Sequence, residues 1–467
     1  MRTTILSLLC MLCSITLQAE DHSRLYQNLP VGVAQPAVAN IPALTVSLTD
    51  FGAVGDGITD CTEAFAKAIS HLNKQGGGHL NVPAGIYLTG PIKMKSLIDL
   101  HVERGAIILF SPDKQRYVNN NGDQKAGSRA TPPLTASKCH DISITGEGII
   151  DGNGEWWRAV KHSKVSDTEW KVFLSMGGTQ ADNGQLWYPH KLKHFADIAE
   201  TPEAQERMRP HLIRMTDCER VLIKGVTVQN APKFHIVPQR CKDVIIDGVT
   251  VRCPWNAQNG DGIDLMQCQR VLVTACTLDV GDDGICLKGG VGVEGVKYGP
   301  CADILITGNT VFHAHGGFVI GSEFSGGMHR IVVSDCTFSG TDTGLRFKSG
   351  PGRGGKTSDI HISDIRMSDI KDQAIVFETS YADRPAGSKA TDKAANQEPE
   401  EFIPEFCDIH ISHVTCRDTR IGIAAKGTLD MIHDIRIDDS IIFYTSKEKN
   451  IDHPDMVKTN NVKLLSY

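Results

Sequence analysis

Four short segments between Asn259 and Lys348 hold residue types that can do chemistry together. Asn259-Gly260-Asp261-Gly262-Ile263 and Gly281-Asp282-Asp283-Gly284-Ile285 supply three carboxylates. Ala314-His315-Gly316-Gly317-Phe318 supplies an imidazole, and Gly344-Leu345-Arg346-Phe347-Lys348 supplies two cations. Aligned on their glycine and first following apolar residue, the segments make Ile263, Ile285, Phe318 and Leu345 equivalent. Asp261 and Asp283 then stand two places before that residue, and Asp282 and His315 three places before it. Arg346 stands one place after it and Lys348 three. Parallel strands stacked about 4.8 Å apart turn these positions into one exposed strip.

Crowded carboxylates repel, so one of them is expected to hold a proton well above the usual aspartate range. That divides labour between one acid and one or two bases, as glycosidic cleavage requires. Arg346 and Lys348 suit uronate carboxylates, the first by a fork and the second as a point charge. His315 can hold the geometry and charge state of the acid. Singly, each motif has a plainer explanation. Asp-Gly and Gly-Asp-Asp occur in ordinary turns, three carboxylates can bind calcium, and two cations on a strand usually form a solvated face. Their shared phase favours chemistry, and the reading is a hydrolase for an acidic polysaccharide.

The elements that would position these residues are repeats. Ile142-Ser143-Ile144, Val221-Leu222-Ile223, Val244-Ile245-Ile246, Val271-Leu272-Val273, Ile304-Leu305-Ile306, Ile331-Val332-Val333, Ile360-His361-Ile362, Ile409-His410-Ile411 and Ile435-Arg436-Ile437 share one pattern. They recur every 23 to 33 residues apart from two longer gaps of 79 and 49. A second ladder, Ile263/Leu265, Ile285/Leu287, Phe318/Ile320, Leu345/Phe347 and Ile375/Phe377, runs in phase with the first. Strand alternation sends these pairs inward. A period in the twenties suits one coil of a β-solenoid and is too short for a propeller blade. The expectation is an all-β parallel helix over residues 46–467, interrupted by loop insertions near 153–210 and 380–405. The first insertion holds Trp156, Trp157, Trp170 and Trp187, which fits either a cleft wall with aromatic faces or a self-packed subdomain.

Ahead of the coils, Phe65, Ala68, Ile69 and Leu72 stand at helical spacing, with Asp60 and Glu63 as a capping box and Gly76-Gly77-Gly78 as the stop. Such a helix would cap the open end. Residues 20–45, with Pro30, Pro36 and Pro42, read as an extended arm. Residues 1–19, with Arg2 and a 13-residue apolar run from Ile5 to Leu17, read as a signal peptide. The run is shorter than the ~20 residues a spanning helix needs, so export to the periplasm or exterior is expected rather than anchoring. Of 14 cysteines, Cys10 and Cys13 would leave with the signal. Cys139, Cys218, Cys241, Cys268 and Cys407 precede apolar pairs and read as small core side chains with pairing unknown; none of the twelve remaining cysteines forms a CxxC pair that would suggest zinc. A net charge of −7 argues against nucleic acid and anionic membranes as partners.

The four motifs in this order resemble glycoside hydrolase family 28, the polygalacturonases, and the resemblance runs from Asp50-Phe51-Gly52 to the last repeats. It implies a right-handed parallel β-helix and inverting hydrolysis of α-1,4-galacturonosidic bonds in pectic poly- or oligosaccharide. It implies no metal and no covalent intermediate; no cofactor is expected, and a single copy is the default assembly. By the same resemblance Asp282 is the general acid, Asp261 and Asp283 activate water, and His315 tunes Asp282. Asn259, Arg346 and Lys348 hold substrate. Gly260, Ala314 and Phe347 depart from the family's Thr, Gly and Ile without removing an ionisable group. Retention of Asp282, Asp283 and His315 favours homogalacturonan over a rhamnogalacturonan or a substituted galacturonan, and the long loops favour attack from a chain end. A calcium-dependent lyase and a non-catalytic carbohydrate-binding solenoid are the alternatives of other classes.

Overall fold

The structure, a computed structural model, describes residues 22–118, 130–189, 205–206, 208–381 and 401–467. Nearly every coil adds strands to two long parallel sheets, which contain 15 and 22 strands among the described residues. The result is a right-handed parallel β-helix. The first repeat forms the smaller sheet in the register its sequence demands. Ile142 pairs with Val221, Val221 with Val244, Val244 with Val271, and Val271 with Ile304. The same row continues through Ile331, Ile360, Ile409 and Ile435. β-Branched residues fill these rows because their stiff side chains pack well on a pleated surface. The inward residues of both ladders merge into one core running from Leu48 to Val457. Towards the C-terminal half the core is aromatic, with Phe347 stacked on Phe377 at 4.4 Å between ring centroids.

The helix Thr62–Lys74 buries Ala64, Phe65, Ala68, Ile69 and Leu72 against the first coils. Its entry differs from the expected capping box. Cys61 is the N-cap and makes no side-chain cap bond. The Asp60 carboxylate instead accepts from the Thr62 N–H at 3.0 Å, and Glu63 pairs with Lys67 at 3.0 Å. The exit is as expected. Gly77, at φ +114°, donates its N–H to Leu72 O, and a Cβ there would meet Leu97 O at 2.4 Å.

The outward positions of the smaller sheet carry Leu222, Ile245, Leu272, Leu305 and Val332, which are apolar although they face away from the core. The arm explains them. After a short 3-10 turn at His22–Tyr26, residues 27–44 run over this row without regular structure, and Val33 joins the row as a buried cluster. The Ala37 and Asn40 N–H groups donate to Asp243 and Asp141 at 3.0 and 2.9 Å. Those aspartates are in turn gripped by Arg270 and Arg220 from the next coil.

The described part of the first insertion is a small subdomain. It contains the helix Asp167–Ser175 and an antiparallel sheet of Val160–Lys161, Thr179–Ala181 and Leu186–Tyr188. Three of its tryptophans are packed away: Trp170 stacks on His162 and Phe173 tilts against Trp187 within the subdomain, and Trp157 meets Tyr117 of an earlier coil edge-on. The aromatic faces expected on a cleft wall are therefore not on offer from Trp157, Trp170 or Trp187. Residues 382–400 of the second insertion, the remainder of the first and the signal segment lie outside the described residues. Among the described residues all twelve cysteines are free, and no helix is long and apolar enough to cross a membrane. Cys139, Cys218, Cys241 and Cys268 occupy equivalent places on successive coils, as small core side chains should.

Candidate active site

Strands Ile263–Met266, Ile285–Lys288, Phe318–Ser322 and Thr343–Ser349 lie side by side, and Ile263, Ile285, Phe318 and Leu345 share one row. The turns entering these strands carry the carboxylates and the imidazole. One oxygen from each of Asp261, Asp282 and Asp283 lies within 4.8 Å of the other two. His315 Nδ1 is 2.9 Å from Asp282 Oδ1, and the His315 N–H donates to Asp282 O at 2.9 Å. Lys348 Nζ donates to Asp283 Oδ2 at 2.7 Å, and Arg346 Nη1 is 3.5 Å from Oδ1. Six of the seven residues expected at the site thus gather in one cluster. The seventh, Asn259, is beside them in chain but points its Oδ1 to Arg209 Nη2 at 2.8 Å.

The turns are tight because no side chain fits in them. A Cβ on Gly281 would meet Ala257 O and Pro254 O at 2.7 and 2.8 Å, and one on Gly317 would enter the Phe338 ring. This close packing buries the site more than an exposed strip would. Asp261 is 3% exposed and the Asp283 side chain 2%, whereas the Asp282 side chain retains 15%. Asp282 is therefore the carboxylate that a substrate can reach.

Burial and the neighbouring carboxylates push Asp261 well above the ordinary aspartate range. Burial acts the same way on Asp283, but Lys348 and Arg346 outweigh it and hold Asp283 low. Asp282 is likewise drawn down, against burial, by His315, Lys348 and Lys164. Crowding and burial thus raise Asp261 rather than Asp282. The nearest oxygens of the three acids, all within 4.8 Å of one another, approach more closely than the roughly 6.5–9.5 Å usual between the two carboxyl groups of an inverting pair. Three clustered carboxylates suit a hard cation in principle, but here Lys348 and Arg346 already bring positive charge to Asp283.

Several participants escaped the sequence. Asp264, fully buried beside Asp261, is pushed by burial to about 7 despite Lys288, whose Nζ stands 3.6 Å from it and 3.7 Å from Glu323. Alternation could have shown Asp264 on the outward face, but nothing in Ile263-Asp264-Leu265 says what it meets. Tyr381 lies under both cations, with its ring centroid 5.8 Å from the Arg346 guanidinium and 5.1 Å from Lys348 Nζ. Lys164, from the insertion, reaches His315 Nε2 at 3.1 Å and Gly281 O at 3.3 Å. No local signal marks a contact across 151 residues. Trp255, 56% exposed, stands in the turn that packs on Gly281.

A family model described as glycosyl hydrolases family 28 matches residues 161–398, and one described as rhamnogalacturonase A/epimerase, pectate lyase-like, matches residues 45–102. The chain is 31% identical over 342 residues to a probable polygalacturonase of Vitis vinifera, covering 70% of this chain and 62% of that protein. It is 27% identical over 403 residues to an exo-poly-alpha-D-galacturonosidase of Dickeya chrysanthemi, covering 83% and 65%. It therefore spans less than two thirds of the length of either. Among solved structures it resembles the hyperthermoactive exopolygalacturonase of Thermotoga maritima, with a TM-score of 0.73 and 29% identity over 92% of this chain and 94% of that one. The family 28 exopolygalacturonase of Yersinia enterocolitica, at a TM-score of 0.65 and 21% identity over 91% and 78%, shares the fold.

Proposed function

Since the chain belongs to glycosyl hydrolase family 28, we propose that it hydrolyses α-1,4-galacturonosidic bonds of homogalacturonan or a related pectic polysaccharide, by inversion and from a chain end. Asp282 donates a proton to the leaving oxygen. Asp283, kept ionised by Lys348, takes a proton from water, and Asp261 helps to hold that water. His315 tunes Asp282, while Asn259, Arg346 and Lys348 hold substrate, with the two cations facing the uronate carboxylates. Export through the first 19 residues fits a substrate too large to enter a cell.

The observation that carries this reading is the contrast in exposure among the three acids. Asp282 can touch a glycosidic oxygen, whereas Asp283 is buried and tied by two cations. A carboxylate locked in this way is a poor nucleophile for an anomeric carbon, so a water molecule must cross the remaining gap. Direct attack by water gives inversion. Attack from a chain end draws support from the exo-acting relatives and from the insertion that brings Lys164 against the site.

The test is product analysis on defined galacturonate oligomers. New reducing ends without an ultraviolet-absorbing unsaturated product, unaffected by a chelator, are expected; an unsaturated product would establish a lyase instead. Proton NMR should show inversion at the first-formed anomeric carbon. Asp282→Asn should lower turnover by about 10²–10⁴-fold, the usual worth of a positioned acid, while binding persists. Binding of pectic fragments by the unaltered protein with no cleavage of any would leave a carbohydrate-binding solenoid.

A further inference from the structure

An acid at Asp282 faces an obstacle in its own surroundings. A charged imidazolium 2.9 Å from Oδ1 would keep the carboxylate ionised and unable to donate. The charged groups that meet the ring are Asp282, Asp342 and Lys164, while Arg346 and Lys348 stand on Asp283, the residue after Asp282. Which ring nitrogen carries hydrogen follows from what each nitrogen meets.

Nε2 meets Lys164 Nζ at 3.1 Å, and the same ammonium is anchored to Gly281 O at 3.3 Å. An ammonium can only donate, so Nε2 must offer a lone pair. Asp342 Oδ2 would favour a proton there, but it lies farther off at 3.8 Å and its other oxygen pairs with Lys371 at 3.4 Å. The ring hydrogen is then on Nδ1 and is given to Asp282 Oδ1. That oxygen also accepts the Asp283 N–H at 3.0 Å. With both lone pairs of Oδ1 taken, a proton on Asp282 must sit on Oδ2. Buried His235 shows the same arrangement nearby: Nδ1 contacts Asp261 O at 2.8 Å while Nε2 accepts the Ala231 N–H.

We propose that Lys164, carried to the site by the insertion, is a positioning residue that fixes His315 as its neutral Nδ1–H form, so that Asp282 can carry the acid proton on Oδ2. The inference rests on the hydrolase reading for its purpose but not for its geometry. Lys164 touches no reacting atom. Its ammonium opposes a proton on either group, but it is nearest Nε2, so the one proton shared by Asp282 and His315 is turned away from the ring more strongly than from Asp282.

The test uses the full chain labelled with nitrogen-15 at histidine, and a long-range proton–nitrogen correlation spectrum with His315→Gln identifying the signal. The unaltered protein should show neutral His315 with hydrogen on Nδ1. Lys164→Met should convert it to imidazolium or to the Nε2–H form, and Lys164→Arg, which still donates, should not. In kinetics, Lys164→Met should lower kcat by about tenfold or more with KM changed by less than about twofold, the pattern of a group that acts only in the transition state. Lys164→Arg should recover most of the loss. An imidazolium in the unaltered protein, or a His315 spectrum indifferent to Lys164→Met, would overturn the proposal. So would a rise in KM at constant kcat, which would make Lys164 a substrate contact. Absence of any pectic hydrolysis would sink the functional reading alone, because the spectra still decide what Lys164 does to His315.

Discussion

Replacing Lys348 by methionine keeps most of the side-chain volume and removes one charge. In the native protein the ammonium lies 2.7 Å from Asp283 Oδ2, with the two side chains only 7% and 2% exposed. Removing one partner of such a pair leaves a buried charge uncompensated, at a cost of about 3–5 kcal/mol. Arg346, 3.5 Å from the other oxygen, should keep the loss at the lower end. The pH dependence gives the sharper test. In the native protein Asp283 is held low, so its contribution to stability is present above the unfolded value and lost as pH falls through the folded one. Without Lys348, burial acts with less opposition and raises Asp283. A raised group contributes its stability at low pH and loses it as pH rises. The deficit of Lys348→Met in unfolding free energy should therefore be larger at pH 7 than at pH 4, measured by urea denaturation at both. The acid limb of kcat/KM should move to higher pH, since Asp283 must be ionised to act as base. Adding Asp283→Asn should restore much of the stability and none of the activity. A deficit independent of pH, with an unmoved acid limb, would refute the reasoning.

Gly281→Ala places a methyl group against two backbone carbonyls of the 254–257 turn. It should displace Asp282 and cost at least about tenfold in kcat while shifting the thermal midpoint only slightly, by activity assay and calorimetry. Leu272→Ala opens a hole beneath the arm where the native side chain is fully buried, and about 2–5 kcal/mol should be lost by chemical denaturation without change in KM. Deleting residues 22–44 should bare the row from Leu222 to Val332, seen as increased binding of a hydrophobic dye and a lower unfolding midpoint.

The solenoid and its registration were legible because parallel coils make each row a repetition of residue type. Ile263, Ile285, Phe318 and Leu345 could be aligned on glycine and apolar pairs alone, and the structure pairs them in that order. Period alone does not tell how deep a row lies. Asp261, Asp283 and Lys348 therefore looked exposed although they are buried. Contacts that arise from an insertion or from an arm have no period at all. Hence Lys164 and the cover over Leu272 were invisible, and the tryptophans of the first insertion could not be assigned to the cleft or to its own interior. The capping box failed for a local reason, because Asp60 found a nearer donor in Thr62 and Arg116 from a later coil.

The segment from His22 to Leu44 binds lengthwise what the sheets bind crosswise. A stack of coils can ordinarily grow or fray one repeat at a time. Here a segment that precedes the coils in the chain has its seat on Leu222, Ile245, Leu272, Leu305 and Val332, so it can dock fully only once the coil bearing Val332 has been made. Its arrival is a closing event, after which loosening any of those five coils also strains the others through their common strap.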